Sequence, residues 1–145
     1  MMAEHLVIGI GNPDRTDDAA GVLVARKVHQ GRVLEWADCS VLMDLWDSAD
    51  DVIVVDAMRS GLPPGTVRRF DAVDERLPAR AFPSTHSMGI AETVELARAL
   101  GRLPLRLTVY GIEAGDLSLG GTPGDEVTAA VDRVAEEINE ELGGC

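Results

Sequence analysis

Four side chains in this sequence stand where chemistry would want them: Asp17, Asp18, Asp56 and His86. Asp17 and Asp18 are adjacent acids that follow a Gly-Asn-Pro turn in LVIGIGNPDRTDDAAG. Asp56 closes the apolar run DVIVVD, and His86 lies in STHSMGI, between an irregular stretch and a helix start. Taken together, Asp18, Asp56 and His86 are two carboxylates and one imidazole. Three protein ligands leave open positions on a metal, as catalytic or exchange sites require. The donor types suit borderline first-row ions such as zinc or nickel better than magnesium.

Each of these residues also has a plainer use. Acids beside a helix N-terminus satisfy free N–H groups and suit the macrodipole, for about 0.3–1 kcal/mol each. That accounts for Asp17 more readily than Asp18, because two adjacent acids exceed what capping needs. A carboxylate that ends a buried strand must be hydrogen-bonded, paired or coordinated. Asp56 alone could close a turn with Ala57. Of the three histidines, His5 precedes the first strand and His29 sits near a helix C-terminus, where the dipole explains it. Only His86 is placed where a crevice loop could deliver it.

The elements that must position these groups follow from hydrophobic patterning. Residues 6–10 form an apolar, β-branched run without alternation, the mark of a strand buried on both faces. Gly9, Gly11, Asn12 and Pro13 break it, and the acid pair opens a helix reaching residue 28. A second strand is expected over 33–37, a short helix over 40–47 and a third strand over 51–56. A loop with Pro63-Pro64 leads to a fourth strand over 66–73, whose partial alternation marks a sheet edge. Residues 74–87 are irregular, 88–100 helical, 105–112 a fifth strand and 113–124 a Gly-rich loop. In the last helix, 125–142, Val127, Val131, Val134, Ile138 and Leu142 recur on one face. Strands separated by helical segments imply an α/β fold: a mostly parallel, twisted five-stranded sheet flanked by helices on both faces. If the first and third strands are neighbours, Asp18 and Asp56 meet at the carboxyl-end crevice where such sheets bind ligands.

The totals bound the class. A chain of 145 residues is expected to be one domain, 1–145, able to bury roughly 68–70% of its unfolded surface. With aromatics at 3%, the core must be aliphatic. A formal charge of −12 argues against a nucleic-acid surface, which needs a basic patch. Two cysteines do not make a disulfide scaffold, the N-terminus lacks the pattern of a signal peptide, and no apolar run approaches a membrane span. A soluble cytoplasmic protein without a membrane anchor is the expectation. GIGNPD starts like a dinucleotide fingerprint but lacks the third glycine, and an acid pair stands where pyrophosphate would approach. No Gly-x-Ser-x-Gly elbow appears, and Cys39 has no histidine nearby in sequence.

GIGNPDRTDDAAG, then VIVVDA with GLPPGTVRRFD, then STHSMGIAE resemble the hydrogenase maturation proteases, in order and at fitting spacing over nearly the whole chain. The resemblance implies an endopeptidase that removes the C-terminal extension of a [NiFe] hydrogenase large-subunit precursor, and a five-stranded, mostly parallel sheet. It implies an acid–acid–histidine set at Asp18, Asp56 and His86 that recognises nickel already installed in the precursor, with Gly11, Asn12 and Asp17 shaping the loop around it. No cofactor is then held permanently, because the nickel is the substrate's. Cleavage of a nearby amide by water follows, the water activated by a carboxylate or by the metal. Such families are often monomeric.

Three positions depart from the family pattern. Ala19 replaces the usual glycine after the acid pair, Ala37-Asp38-Cys39-Ser40 replaces an Asp-Gly-Gly-Thr-like loop, and Ala114 replaces a proline after GIE. These bear on precursor choice more than on chemistry. Two other readings compete: a hydrolase carrying its own zinc, and a non-catalytic nickel- or large-subunit-binding module. Peptidyl-tRNA hydrolases share the opening turn. They continue towards a histidine–asparagine pair where this chain has Asp17-Asp18, and they need a basic surface that −12 opposes.

Overall fold

The apolar runs form five strands: β1 (His5–Ile10), β2 (Arg32–Trp36), β3 (Asp51–Met58), β4 (Val67–Asp71) and β5 (Arg106–Glu113). The computed structural model describes residues 5–12, 16–36, 39–82, 88–115 and 123–143. The strands make one sheet in the order β2-β1-β3-β5-β4. β1, β2, β3 and β5 run parallel, and β4 lies antiparallel at the edge, as its alternation indicated. Among the described residues four α-helices cover it: α1 (Ala20–Lys27), α2 (Leu42–Trp46), α3 (Ile90–Leu100) and α4 (Asp125–Gly143). The chain leaves β1 for β2 on one side, then returns to place β3 on the other. That reversal makes the carboxyl ends of β1 and β3 the switch point of the sheet, where a crevice opens.

The period of two along each strand divides the core. Leu6, Ile8 and Ile10 of β1, with Val52, Val54 and Met58 of β3, pack against Leu42 and Trp46 of α2 and Ile90, Val94 and Ala97 of α3. Val7, Ile53 and Val55 face the other way, against Ala20 and Val24 of α1 and the α4 stripe Val127, Val131, Val134 and Ile138. Reversing direction at the switch point is what sends α1 and α2 to opposite faces. The core is mostly aliphatic, each fully buried aliphatic side chain contributing about 1.5–3 kcal/mol, but the few aromatics are concentrated in it, with Trp46 and Phe82 the largest fully buried side chains. Asn139 of α4 clasps the end of α1, accepting the His29 N–H at 2.9 Å and donating to the Lys27 carbonyl at 3.0 Å. Among the described residues no helix is long and apolar enough to cross a membrane.

Several expected boundaries shift for local reasons. The acid pair does not open α1 directly. Asp17–Ala19 form a 3-10 turn, so Asp17 belongs to a helical turn and not to a loop. Strand β3 runs two residues past Asp56, and β5 includes Glu113, which patterning had assigned to the following loop. Helix α3 starts at Ile90, two residues late, where the Glu92 carboxylate accepts the Gly89 N–H at 2.9 Å. Gly101 stops it in the left-handed conformation, φ 68°.

Gly9 does not break β1. It lies inside the strand, and a Cβ there would fall 2.3 Å from the Gly21 carbonyl oxygen and 2.7 Å from the Ala25 Cβ. Gly21 returns the constraint, since its Cβ would fall 2.3 Å from the carbonyl oxygens of both Ile10 and Val55. Helix and sheet therefore touch backbone to backbone at this point. Gly21→Ala is expected to lose about 3 kcal/mol of unfolding free energy, or not to fold at all. The control Gly124→Ala, whose Cβ meets nothing nearer than 3.5 Å, is expected to stay within about 0.5 kcal/mol of the parent. Urea unfolding of the two variants side by side checks this, and equal midpoints would refute the close-packing account.

Candidate functional site at the carboxyl ends of β1 and β3

The turn after β1 brings the first acid to the switch point. Gly11 extends the ladder by donating its N–H to the Trp36 carbonyl at 3.0 Å, then departs at φ 153°, a conformation that excludes most side chains. A Cβ on Gly11 would fall 2.2 Å from the Asp18 carbonyl oxygen. The backbone of Asp18 is thus laid directly on Gly11, and the 3-10 turn behind it is closed by the Ala19 N–H on the carbonyl of buried Thr16 at 3.3 Å. Asp18 is half-buried, and Asn12 lies partly covered beside the turn. Asp17 is described in its backbone alone. The cap position of α1 is Ala19, whose side chain has no acceptor, so the acid pair does not occupy the cap.

Asp56 sits on β3 opposite Gly111 of β5. Alternation puts it on the face of Val52, Val54 and Met58, in line with core residues. Its Oδ1 accepts the N–H of Ala57 at 2.8 Å, the turn-like contact anticipated for it. Burial pushes the carboxyl up first, repulsion from Asp18 raises it further, and the Ala57 N–H opposes both. The net result is a carboxyl group raised to about 8. Asp18 and Asp56 are therefore within Coulombic reach of each other across the switch point. Among the described residues they are not joined by a third His, Cys, Asp or Glu to complete a cation site. His86 lies outside the described residues.

The surroundings of Asp56 add residues that patterning overlooked. Because Gly111 has no side chain, the Phe82 ring can approach beside Asp56. A Cβ on Gly111 would fall 3.0 Å from its Cζ. The Arg59 N–H donates to the Ala81 carbonyl at 2.7 Å, tying the exit of β3 to the segment that precedes residues 83–87. Glu113, almost fully buried at 3% exposure, ends β5 as Asp56 nearly ends β3. The signal was available in LTVYGIE, an apolar run finishing on an acid, but the glycines that follow drew the residue into a loop. Cys39 is also buried, packed with Leu42 and Trp46, so it acts as core and not as a nucleophile.

The direction of the Asp56 shift fixes a pH dependence. Its folded value, about 8, lies above its ordinary value of 3.8. Between these limits the folded state binds more protons than the unfolded state, so stability falls as pH rises through that window. The stabilisation is complete below about 4 and lost above about 8, with a span on the order of a few kcal/mol. Asp56→Asn, which cannot ionise, is expected to flatten the slope between pH 5 and pH 8.5 and to be more stable than the parent at the alkaline end. Denaturant melts across that range test it, and an unaltered slope in the variant would sink the assignment.

The family model described as hydrogenase maturation protease matches residues 37–141. The hydrogenase expression/formation protein HupD of Thiocapsa roseopersicina is 31% identical over 150 residues, covering 93% of this chain and 67% of that protein. The hydrogenase 2 maturation protease of Escherichia coli K12 is 31% identical over 148 residues, covering 92% and 87%. The solved structure of the hydrogenase maturating endopeptidase HybD from E. coli superposes with a TM-score of 0.77 at 25% identity, over 97% of this chain and 94% of that one. The chain belongs to the hydrogenase maturation protease family and is an endopeptidase of that kind.

Proposed function

We propose that this endopeptidase removes the C-terminal extension of a nickel-loaded [NiFe] hydrogenase large-subunit precursor, and that Asp18, Asp56 and His86 grip the substrate's nickel. The observation that carries the reading is the pairing of Asp56 with Asp18. Two carboxyl groups at a switch-point crevice raise each other's cost of ionisation, and a divalent cation between them removes that cost. Asp56 gives up its proton when the cation arrives, so metal capture and carboxylate ionisation are one event. His86 supplies the nitrogen ligand in this scheme. Gly11 and Asn12 hold the turn that aims Asp18.

The nickel belongs to the precursor, and the enzyme carries no permanent cofactor. An empty precursor then offers nothing for the carboxylates to coordinate, and recognition doubles as a test of loading. Once the nickel is held, the scissile amide of the same subunit lies at the crevice. Water adds to its carbonyl carbon and the C–N bond breaks. The water oxygen stays with the new carboxylate of the subunit, and both its protons go to the nitrogen of the released tail, which leaves as an ammonium.

Incubating the enzyme with precursor in nickel-loaded and empty forms, and weighing the products, tests the reading directly. A C-terminal fragment is expected from the loaded form alone. Cleavage of both forms would retain the peptidase and discard nickel recognition. Within the acid pair, Asp18→Asn is expected to lower kcat/KM about 100-fold or more, as loss of a direct ligand should. Asp17→Asn should change it less than about threefold, the scale of a charge that does not bind the metal directly. Equal losses would move the ligand from Asp18 to its neighbour. His86→Ala is expected to abolish processing while leaving the thermal midpoint in place; an unfolded variant would count against the histidine's role.

A further inference from the structure

We infer that Glu113 is a positioning residue, whose buried carboxylate holds the turn after Asp56 and so keeps the Asp56 side chain aimed at the crevice. The inference rests on the function proposed above. The Ser60 N–H donates to Glu113 Oε2 at 2.9 Å and to Oε1 at 3.1 Å, and the Ser60 hydroxyl donates to Oε1 at 2.5 Å. The backbone of Glu113 grips the other end of the same loop. Its carbonyl accepts the Gly65 N–H at 2.9 Å, and its N–H donates to the Thr66 carbonyl at 2.8 Å. Both feet of the 59–66 loop thus stand on one residue.

A carboxylate is a costly way to end a buried strand, since burial is tolerated only with strong hydrogen bonds in return. An aliphatic side chain would fill the space but could not hold Ser60. The register explains what that hold achieves. Met58 pairs with Glu113 and Asp56 with Gly111, so the period of two puts all four on one face of the sheet. Asp56 is aimed by the Ala57 N–H on its Oδ1. The direction of that N–H depends on the backbone just beyond it. There the Met58 carbonyl accepts the Ala114 N–H at 2.9 Å, Arg59 donates to Ala81, and Ser60 is held by Glu113. Releasing Ser60 removes one of these holds at the end of β3 and loosens the Ala57 N–H on the carboxylate.

Glu113→Ala, Glu113→Gln and Glu113→Leu separate this role from a merely structural one. For Glu113→Ala we expect kcat on nickel-loaded precursor to fall at least about tenfold with KM nearly unchanged, the pattern of a misaimed group. Glu113→Gln keeps an oxygen that accepts from Ser60 and should recover to within about threefold of the parent. Hydrogen exchange at the Ala57 amide should speed up about tenfold or more in Glu113→Ala at a temperature where the fold is intact. A folded Glu113→Ala with parental kcat, or a Gln variant as impaired as the Ala variant, would overturn the inference. If Glu113→Ala does not fold, Glu113→Leu decides, because it fills the space and accepts nothing from Ser60: slower turnover or faster Ala57 exchange supports the role, and neither change refutes it. Should the parent itself leave the precursor uncut, the proposed function fails, while Ala57 exchange in the variants still judges the positioning.

Discussion

The contact of α1 with the sheet at Gly9 and Gly21 is the constraint from which the site follows. At Gly21 the helix lies against the carbonyls of Ile10 and Val55 together, so it bridges β1 and β3 at the place where they part. A helix held there by side chains would stand farther off, and the turn at its head would move with it. Asp18, three residues before Gly21 and laid on Gly11, inherits its position from this contact. The small residues in GIGN and DDAAG are one packing surface shared by a strand and a helix. An acid is brought towards a neighbouring strand as a consequence.

What the packing brings together, electrostatics resists. Asp56 stands in a row that otherwise reads Val52, Val54 and Met58, at the edge of a core that offers little polar relief. Desolvation and the nearby Asp18 keep it protonated well into the neutral range. The protein therefore holds a weak point at its crevice, offset by two well-filled apolar layers. Such concentrated cost is common at sites awaiting a charge that the fold does not supply. A carboxyl with a value near 8 changes protonation close to neutral pH, so its charge responds to small changes in what surrounds it.

Much of this was legible in the residues because strong periodicity and turn chemistry coincide. The parallel core, the edge position of β4, the stop at Gly101 and the apolar stripe of α4 follow from pattern alone. The approach of Asp18 and Asp56 required only that β1 and β3 be neighbours, which they are. Single-residue packing was not legible. A glycine reads as a breaker in a string of letters, and only the neighbouring helix reveals Gly9 as an approach point. Glu113 was missed for a related reason: β5 ends on an acid just before a glycine-rich stretch, and composition outweighed the strand pattern at that boundary. The 3-10 turn at Asp17–Ala19 carries no sequence mark that separates it from the first turn of α1.

The departures from the family pattern fall where loops meet the core, and the packing gives them a consequence. Where the resemblance has a glycine-rich loop after β2, this chain places Cys39, whose side chain is buried against the α2 residues Leu42 and Trp46. The Leu42 N–H donates to the Cys39 carbonyl at 3.3 Å, so the entry to α2 is anchored by packing and by a turn at once. Glycines would leave that backbone free to adapt, whereas a buried thiol holds it. Asp18 stands on a 3-10 turn and Asp56 near the end of β3, and the turn under Asp18 reaches the end of β2 through the Gly11 N–H on the Trp36 carbonyl. The positions of Asp18 and Asp56 are set by β1, β3 and the glycine contact beneath them, so a substitution confined to Cys39 alters the packing at α2 before it reaches either acid.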